Sequence, residues 1–338
     1  VDNALMWLNE YRFDGLRLDA VHAIHDPSFL DLLRQAVREK VGSGRYVHLV
    51  LENERNEARL LRDGYAAQWN DDFHNTVHVI LTGETASYYG DFAEQPAAKL
   101  ARCLAEGFAY QGEKAPGSGK PRGETSGALA TTRFVAFLQN HDQVGNRAFG
   151  ERLTVLAGKE GLRAATALCL LCPQVPLLFM GDETGSRSPF LFFTDFDDGV
   201  ADAVREGRRA EFARFPAFAD RHARAAIPDP NDPATFERSR PEPGPDADEW
   251  TGLYRDLLAL RAREIVPRLA GARGIGAEAH GESAVLARWR LADGAVLTIF
   301  ANLGDTAVTA PELPASEPMF ALGAGGEPGA FAAWLENA

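Results

Sequence analysis

Three acidic side chains stand where strand-like apolar runs of this chain end. Asp19 sits in DGLRLDAVHAI (14–24), Glu52 in VHLVLEN (47–53) and Asp142 in FLQNHDQVGN (137–146). Acids at the C-terminal ends of successive barrel strands converge on one mouth, so carboxylates far apart in the chain can share a substrate. Two carboxylates are enough to cleave a glycosidic bond: one attacks the anomeric carbon or activates water, the other protonates the leaving oxygen. Arg17 and Asp19 are two residues apart, so on a strand they share a face. A guanidinium there favours the ionised carboxylate, which suits Asp19 to attack. Glu52 closes an apolar run, surroundings that favour a protonated acid able to serve the leaving oxygen. Carboxyl groups ~5–5.5 Å apart imply retention and ~6.5–9.5 Å inversion. Asp142, beside His141, would hold sugar hydroxyls and stabilise positive charge in the transition state. Each string alone has an ordinary explanation: a structural ion pair, a helix cap, a turn. Three in order on strand ends of one parallel sheet are harder to explain that way.

The elements that must position these acids follow from periodicity. Helical patterns cover 2–11, 27–41, 54–62, 76–82, 96–107, 161–171 and 250–264. In the second of these, Phe29, Leu32, Leu33, Ala36, Val37 and Val41 form the expected apolar stripe. Strand patterns cover 13–19, 46–51, 66–70, 134–139 and 175–180. Strand and helix alternate, which implies a parallel sheet. Residues 111–133 read as a long loop, and 184–249 as irregular sequence, a length usually tied to function. After Arg268 short alternating runs, AVLARWRL (284–291) and AVLTIFANL (295–303), predict a small antiparallel β-domain.

Composition narrows the class. With 338 residues, 45% hydrophobic and 25% charged, the chain has enough apolar mass for a large core. A net charge of −13 without a basic stripe argues against nucleic acid as a partner. No apolar run reaches the ~18 residues of a membrane span, so no membrane partner is expected. Three cysteines, an odd and sparse count, argue against a disulfide framework and for a reducing, cytoplasmic compartment. Cys169 and Cys172 form a C-x-x-C inside an apolar string and read as buried core thiols. His74 and His78, four apart, could share a metal, but no third ligand is evident; no metal and no cofactor are expected.

At this point the sequence resembles the α-amylase-type glycoside hydrolases, α-glucan enzymes on a (β/α)8 barrel. The fourth-strand motif G-x-R-x-D stands as Gly15, Arg17 and Asp19, implying Asp19 as nucleophile. The fifth-strand general acid falls on Glu52. The seventh-strand N-H-D falls on Asn140, His141 and Asp142, implying Asp142 as transition-state stabiliser. Further strings, LDAVHAI, QWNDDFHN (68–75), YYGDFA (88–93) and LLFMGDETGSRSPFLFFTDF (177–196), resemble a trehalose-releasing branch that cuts the α-1,4 bond beside a terminal trehalose unit. The substrate implied is a malto-oligosaccharide ending in trehalose, or a related α-glucan. Substrate contacts are then expected from Arg17, His22, Trp69 (as a stacking platform), Asn70, Asp71, Asp72, His74, Gln139, Asn140 and His141. Asn75 stands where a second His is expected after His74. Alternatives are an amylase, a debranching or branching enzyme, or a non-catalytic glucan-binding barrel. The expected fold is α/β: a partial (β/α)8 TIM barrel, strands four to eight, over residues 1–269, then a small antiparallel β-domain over 270–338. The family's first three strands and N-terminal β-domain have no counterpart. This reading expects the 338-residue piece alone to be poorly stable or inactive, because an open half-barrel exposes an edge strand.

Overall fold

A computed structural model of the chain describes residues 1–42, 44–213 and 215–337. Its contacts divide it into two compact units. One comprises 1–138, 163–177 and 260–338; the other comprises 139–162 and 178–259.

The first unit alternates helix and strand. In order come α1 (Asp2–Asn9), β1 (Gly15–Leu18), α2 (Ser28–Lys40), β2 (His48–Leu51), α3 (Ala58–Asp63), β3 (Ala67–Trp69), α4 (Asp71–Thr82), α5 (Pro96–Glu106) and β4 (Phe134–Ala136). β5 (Val175–Pro176) follows later in the chain. The five strands pair in parallel in the order β1-β2-β3-β4-β5. Parallel strands fed by crossover helices put all C-terminal ends on one edge. Asp19 and Glu52 each follow the last residue of their strands, β1 and β2. The ladder runs on past both: Glu52 N–H donates to Leu18 O at 3.0 Å and Val21 N–H to Glu52 O at 3.0 Å. The two acids are therefore held side by side by backbone.

The core beneath is apolar and closed. Leu8, Leu33, Val37, Leu49, Leu51, Leu60, Leu61, Tyr65, Phe108 and Phe134 are buried together. The stripe expected on α2 is partly corrected. Leu30, Leu33, Ala36 and Val37 face inward, whereas Phe29 and Leu32 are exposed. The run of apolar residues is wider than the buried stripe, and packing chooses one side of it.

The C-terminal sheet is antiparallel, in the order β6-β7-β8-β10-β9. Its strands are β6 (Arg273–His280), β7 (Ala284–Arg290), β8 (Val296–Asn302), β9 (Phe320–Leu322) and β10 (Phe331–Glu336). It packs on α5: the buried Trp289 donates its Nε1–H to Leu104 O at 2.9 Å, and an added Cβ at Gly274 would lie 2.1 Å from Ala105 O.

The second unit holds α6 (His141–Gly145), α7 (Leu153–Leu156), the first turn of α8 (Lys159–Leu171), α9 (Asp198–Phe212), α10 (Arg221–Ala225), α11 (Pro233–Arg238) and nearly all of α12 (Ala247–Leu260). The irregularity expected over 184–249 is thus corrected by three helices and the start of a fourth. α9 is rich in Arg and Glu with few large apolar residues, so it is hydrophilic overall although amphipathic. Its buried Arg208 instead lies over the rings of Phe192 and Phe212, at 4.7 and 5.2 Å. Phe190 and Phe193 pack edge to face on each other and on Phe179 and Phe236, as loop core.

Arg261 follows α12 and closes the C-terminus of α8. Its Nη1 donates to Leu170 O and Cys172 O, and its Nη2 to Gln174 O, each at 2.7 Å. The first two are carbonyls that a helix end leaves unpaired; Gln174 O belongs to the turn between α8 and β5. Arg261→Leu would orphan all three in a buried site. We expect a loss of about 3 kcal/mol or more, read from chemical denaturation; an unchanged midpoint would remove the capping role. Cys169 and Cys172 are free and buried, as expected, and Cys103 is free and buried as well. Among the described residues no helix is long and apolar enough to cross a membrane, and no His, Cys, Asp and Glu cluster fits a metal.

Candidate active site

The site grows from Arg17. Its Nη1 donates to Asp19 Oδ1, and its Nη2 donates to Glu52 Oε2 at 2.9 Å. One planar guanidinium therefore grips both acids, a fork that Lys cannot form. Its carbon lies 4.2 Å from the centroid of the Trp69 ring, a stacked cation–π contact. Trp69 ends β3, so three neighbouring strand ends build one assembly.

Ala20 completes it. Its backbone N–H donates to Glu52 Oε2 at 2.8 Å, and it lies in the left-handed region at φ 42°. An L-residue there costs about 1 kcal/mol, and strained backbone of this kind clusters at functional sites. The surroundings of Glu52 are thus polar on one side, a correction to the apolar setting expected. Its Oε1 accepts from none of the described residues. Asp19 is 77% exposed and Glu52 21% exposed. One acid is open for attack; the other is fixed and partly screened.

The expected substrate contacts divide in two. Asp72 and His74 are buried and committed to protein, which corrects their expected role as substrate contacts; Asn70 is buried too, with its Oδ1 unpaired among the described residues. Asp72 Oδ2 accepts from Asn56 Nδ2, Ala109 N and Tyr110 N at 3.0, 2.9 and 3.3 Å. Its Oδ1 accepts from Arg122 Nη2 at 2.6 Å. Asn70 donates to Gly107 O at 2.8 Å. His74 Nδ1 meets Leu138 O at 2.6 Å, and since a carbonyl only accepts, that nitrogen carries the proton. Its Nε2 then accepts from Tyr89 OH at 3.1 Å. His78 stacks on Tyr89 and meets Glu84 Oε2 at 2.8 Å. Trp69 is half-buried, and Arg17 occupies a face expected to carry sugar. Asp71, in the first turn of α4, stays half-exposed. His22 is 24% exposed beside Glu54, whose N–H it accepts at 3.3 Å.

The remaining residues lie in the second unit. Gln139 is buried: its Nε2 donates to Asp182 Oδ1 at 2.6 Å and its Oε1 accepts from Leu153 N at 3.0 Å. It holds the loop and is corrected as a ligand contact on that ground. Buried Asn140 caps α6, its Oδ1 accepting from Asp142 N at 2.8 Å, while its Nδ2 is unpaired among the described residues. His141 and Asp142 are exposed, with His141 Nε2 3.5 Å from Asp142 Oδ1.

Burial pushes the Asp182 carboxyl up from 3.8 to about 6, against the hydrogen bonds from Gln139 and Phe179 N–H and the charge of Arg152. The folded chain holds this proton more tightly than the unfolded one. Its stabilising contribution is whole below about 3.8 and is lost as pH rises through about 6. Asp182→Asn should remove that slope, worth up to about 3 kcal/mol at one unit per 1.36 kcal/mol. Denaturation midpoints of both forms at pH 4 and 7.5 check it; parallel profiles would refute it.

Solved structures that this chain resembles include α-amylase-type enzymes. A Salmonella typhimurium protein provisionally described as an alpha amylase superposes with a TM-score of 0.89 at 42% identity, over 99% of this chain and 59% of its own. The isomaltulose synthase of Protaminobacter rubrum, at 14% identity, shares the fold alone, with a TM-score of 0.57 over 100% of this chain and 68% of its own.

The particular relatives are malto-oligosyltrehalose trehalohydrolases. That of Arthrobacter ramosus is 42% identical over 83% of this chain and 50% of its own length. That of Saccharolobus solfataricus is 37% identical over 77% of this chain and 45% of its own. The chain spans about half the length of the curated relatives it matches. Residues 272–334 match a family model described as a domain of unknown function, DUF3459.

Signals missed in sequence were the second arm of Arg17 and the Ala20 N–H. A strand pairing not yet known hides the first, and no residue type marks the second.

Proposed function

We infer that this chain carries the reacting groups of a retaining glycoside hydrolase. Its substrate is malto-oligosyl trehalose, and the bond cut is the α-1,4 linkage next to the terminal trehalose unit, which leaves as trehalose. Asp19 attacks the anomeric carbon and forms a glycosyl ester. Glu52 gives its proton to the leaving oxygen, then takes one from the water that releases the ester. Asp142 takes the role of transition-state stabiliser, on its Asn-His-Asp motif. Arg17 holds the first two acids in register, and His22, Asp71 and His141 remain the candidates for sugar hydroxyls.

The observation that carries this reading is the single guanidinium shared by Asp19 and Glu52 at adjacent strand ends. Similarity to seven curated relatives, those described here all trehalohydrolases, supports the substrate. We assign β1–β5 to strands four to eight of an eight-stranded barrel, with domains 1–269 and 270–338; the 272–334 family match supports that second boundary. Three free buried thiols support a cytoplasmic setting.

Incubation of the full protein with malto-oligosyl trehalose should release trehalose and the shortened glucan, with retained anomeric configuration by NMR. Release of maltose or glucose from starch at a higher kcat/KM would instead favour the amylase reading, to which the Salmonella likeness points.

A further inference from the structure

A cavity lies at the edge of the parallel sheet where strands begin. It has a volume of about 410 Å³, within the ~300–1,000 Å³ of small-molecule sites. Four arginines line it, Arg34, Arg38, Arg45 and Arg133, over a floor that includes Val37 and Leu49. No acid is among its lining residues, in a chain whose net charge is −13. This is a local reversal of the overall field.

The arginines are only partly neutralised. Arg45 donates to Leu8 O and Phe13 O at 2.6 and 2.8 Å, with Asp14 3.8 Å away at the rim. Arg133 donates to Tyr65 O and Ala66 O at 2.9 and 3.1 Å. Carbonyl oxygens orient a guanidinium and leave its full charge in place. Arg34 meets only Asp31, at 3.2 Å. Its Nε donates to nothing among the described residues. Arg38 makes no hydrogen bond or ion pair with any described residue, yet its place is reserved. Gly64, at φ +116°, lies against it, and a Cβ there would come within 2.1 Å of Arg38 Nη2. Arg34 and Arg45 each have one rim carboxylate, Asp31 and Asp14, whereas Arg38 and Arg133 pair with none among the described residues; a dianion that accepts from several of these planar donors at once would balance the remaining charge.

We propose that this cavity binds a small organic phosphate, its phosphoryl oxygens on Arg34, Arg38 and Arg133 and its apolar body on Val37, Leu49 and the Tyr46 ring. The site is remote from Asp19 and Glu52, which stand at the opposite ends of the same strands.

Phenyl phosphate titrated calorimetrically into the full chain tests it, with inorganic phosphate and phenol as comparisons. Phenyl phosphate should bind, more tightly than inorganic phosphate, and phenol should not. Arg38→Glu should weaken phenyl phosphate at least about tenfold, or 1.4 kcal/mol, with the ligand-free melting temperature unchanged. Arg34→Gln should weaken it in the same direction. The proposal is overturned by absent phenyl phosphate binding, by equal affinity in Arg38→Glu, or by inorganic phosphate binding as tightly as phenyl phosphate.

Discussion

Asp19→Asn is expected to lower kcat by roughly four orders of magnitude, or about 5.5 kcal/mol of transition-state free energy. Asn keeps the size of the side chain and can still accept from Arg17, so the fold at β1 should persist. It cannot attack the anomeric carbon as an anion, and the ester is never formed. Because Asp19 is mostly exposed and supports no core contact, KM should change little. The check is steady-state kinetics on malto-oligosyl trehalose in the full protein, with binding measured separately. Turnover near the native rate would remove Asp19 as nucleophile, and with it the retaining scheme.

Arg17→Lys should cost kcat about a hundredfold to a thousandfold, or roughly 3–4 kcal/mol. The charge survives; the geometry does not. Lys presents one compact ammonium, which cannot reach Asp19 and Glu52 in a single plane or stack on Trp69 as a guanidinium does. The two acids would then hold their separation less well, and small misplacements at reacting atoms are expensive. Arg17→Gln should be no better than Arg17→Lys in kcat. If Arg17 only stabilised the fold, Lys would restore kcat as well as it restores charge, and both variants would instead shift the melting temperature. A kcat restored by Lys therefore counts against the positioning role.

The helix-and-strand succession of the first unit was legible because its strands are short apolar runs flanked by amphipathic helices. Each strand shrank at its ends: the run over 175–180 keeps only Val175 and Pro176 in the ladder. Pairing needs a neighbour at every residue, and sequence cannot say where the neighbour stops. α9 was not legible, since its buried cation packs on Phe192 and Phe212, and an arginine inside reads as an arginine outside. Asp72 and His74 misled in the other direction. Polar residues in a row after a strand look like a rim that meets ligand. Here Arg122, Asn56, Leu138 and Tyr89 consume their hydrogen-bonding capacity, and those partners come from distant segments.

The sequence by itself determined which acids are available and that Asp19 and Glu52 stand on strand ends, because a carboxylate after an apolar run is a local fact; Asp142, expected on a third strand end, lies instead in α6, beyond the end of β4 at Ala136. It also determined that Cys169 and Cys172 lie in an apolar string. Tertiary structure alone decided that Arg17 serves Glu52 as well as Asp19, that Ala20 bends to offer its N–H, and that two arginines of α2 meet Arg45 and Arg133 around one cavity. These are distances between residues far apart in the chain, and they are set by parallel pairing and helix packing.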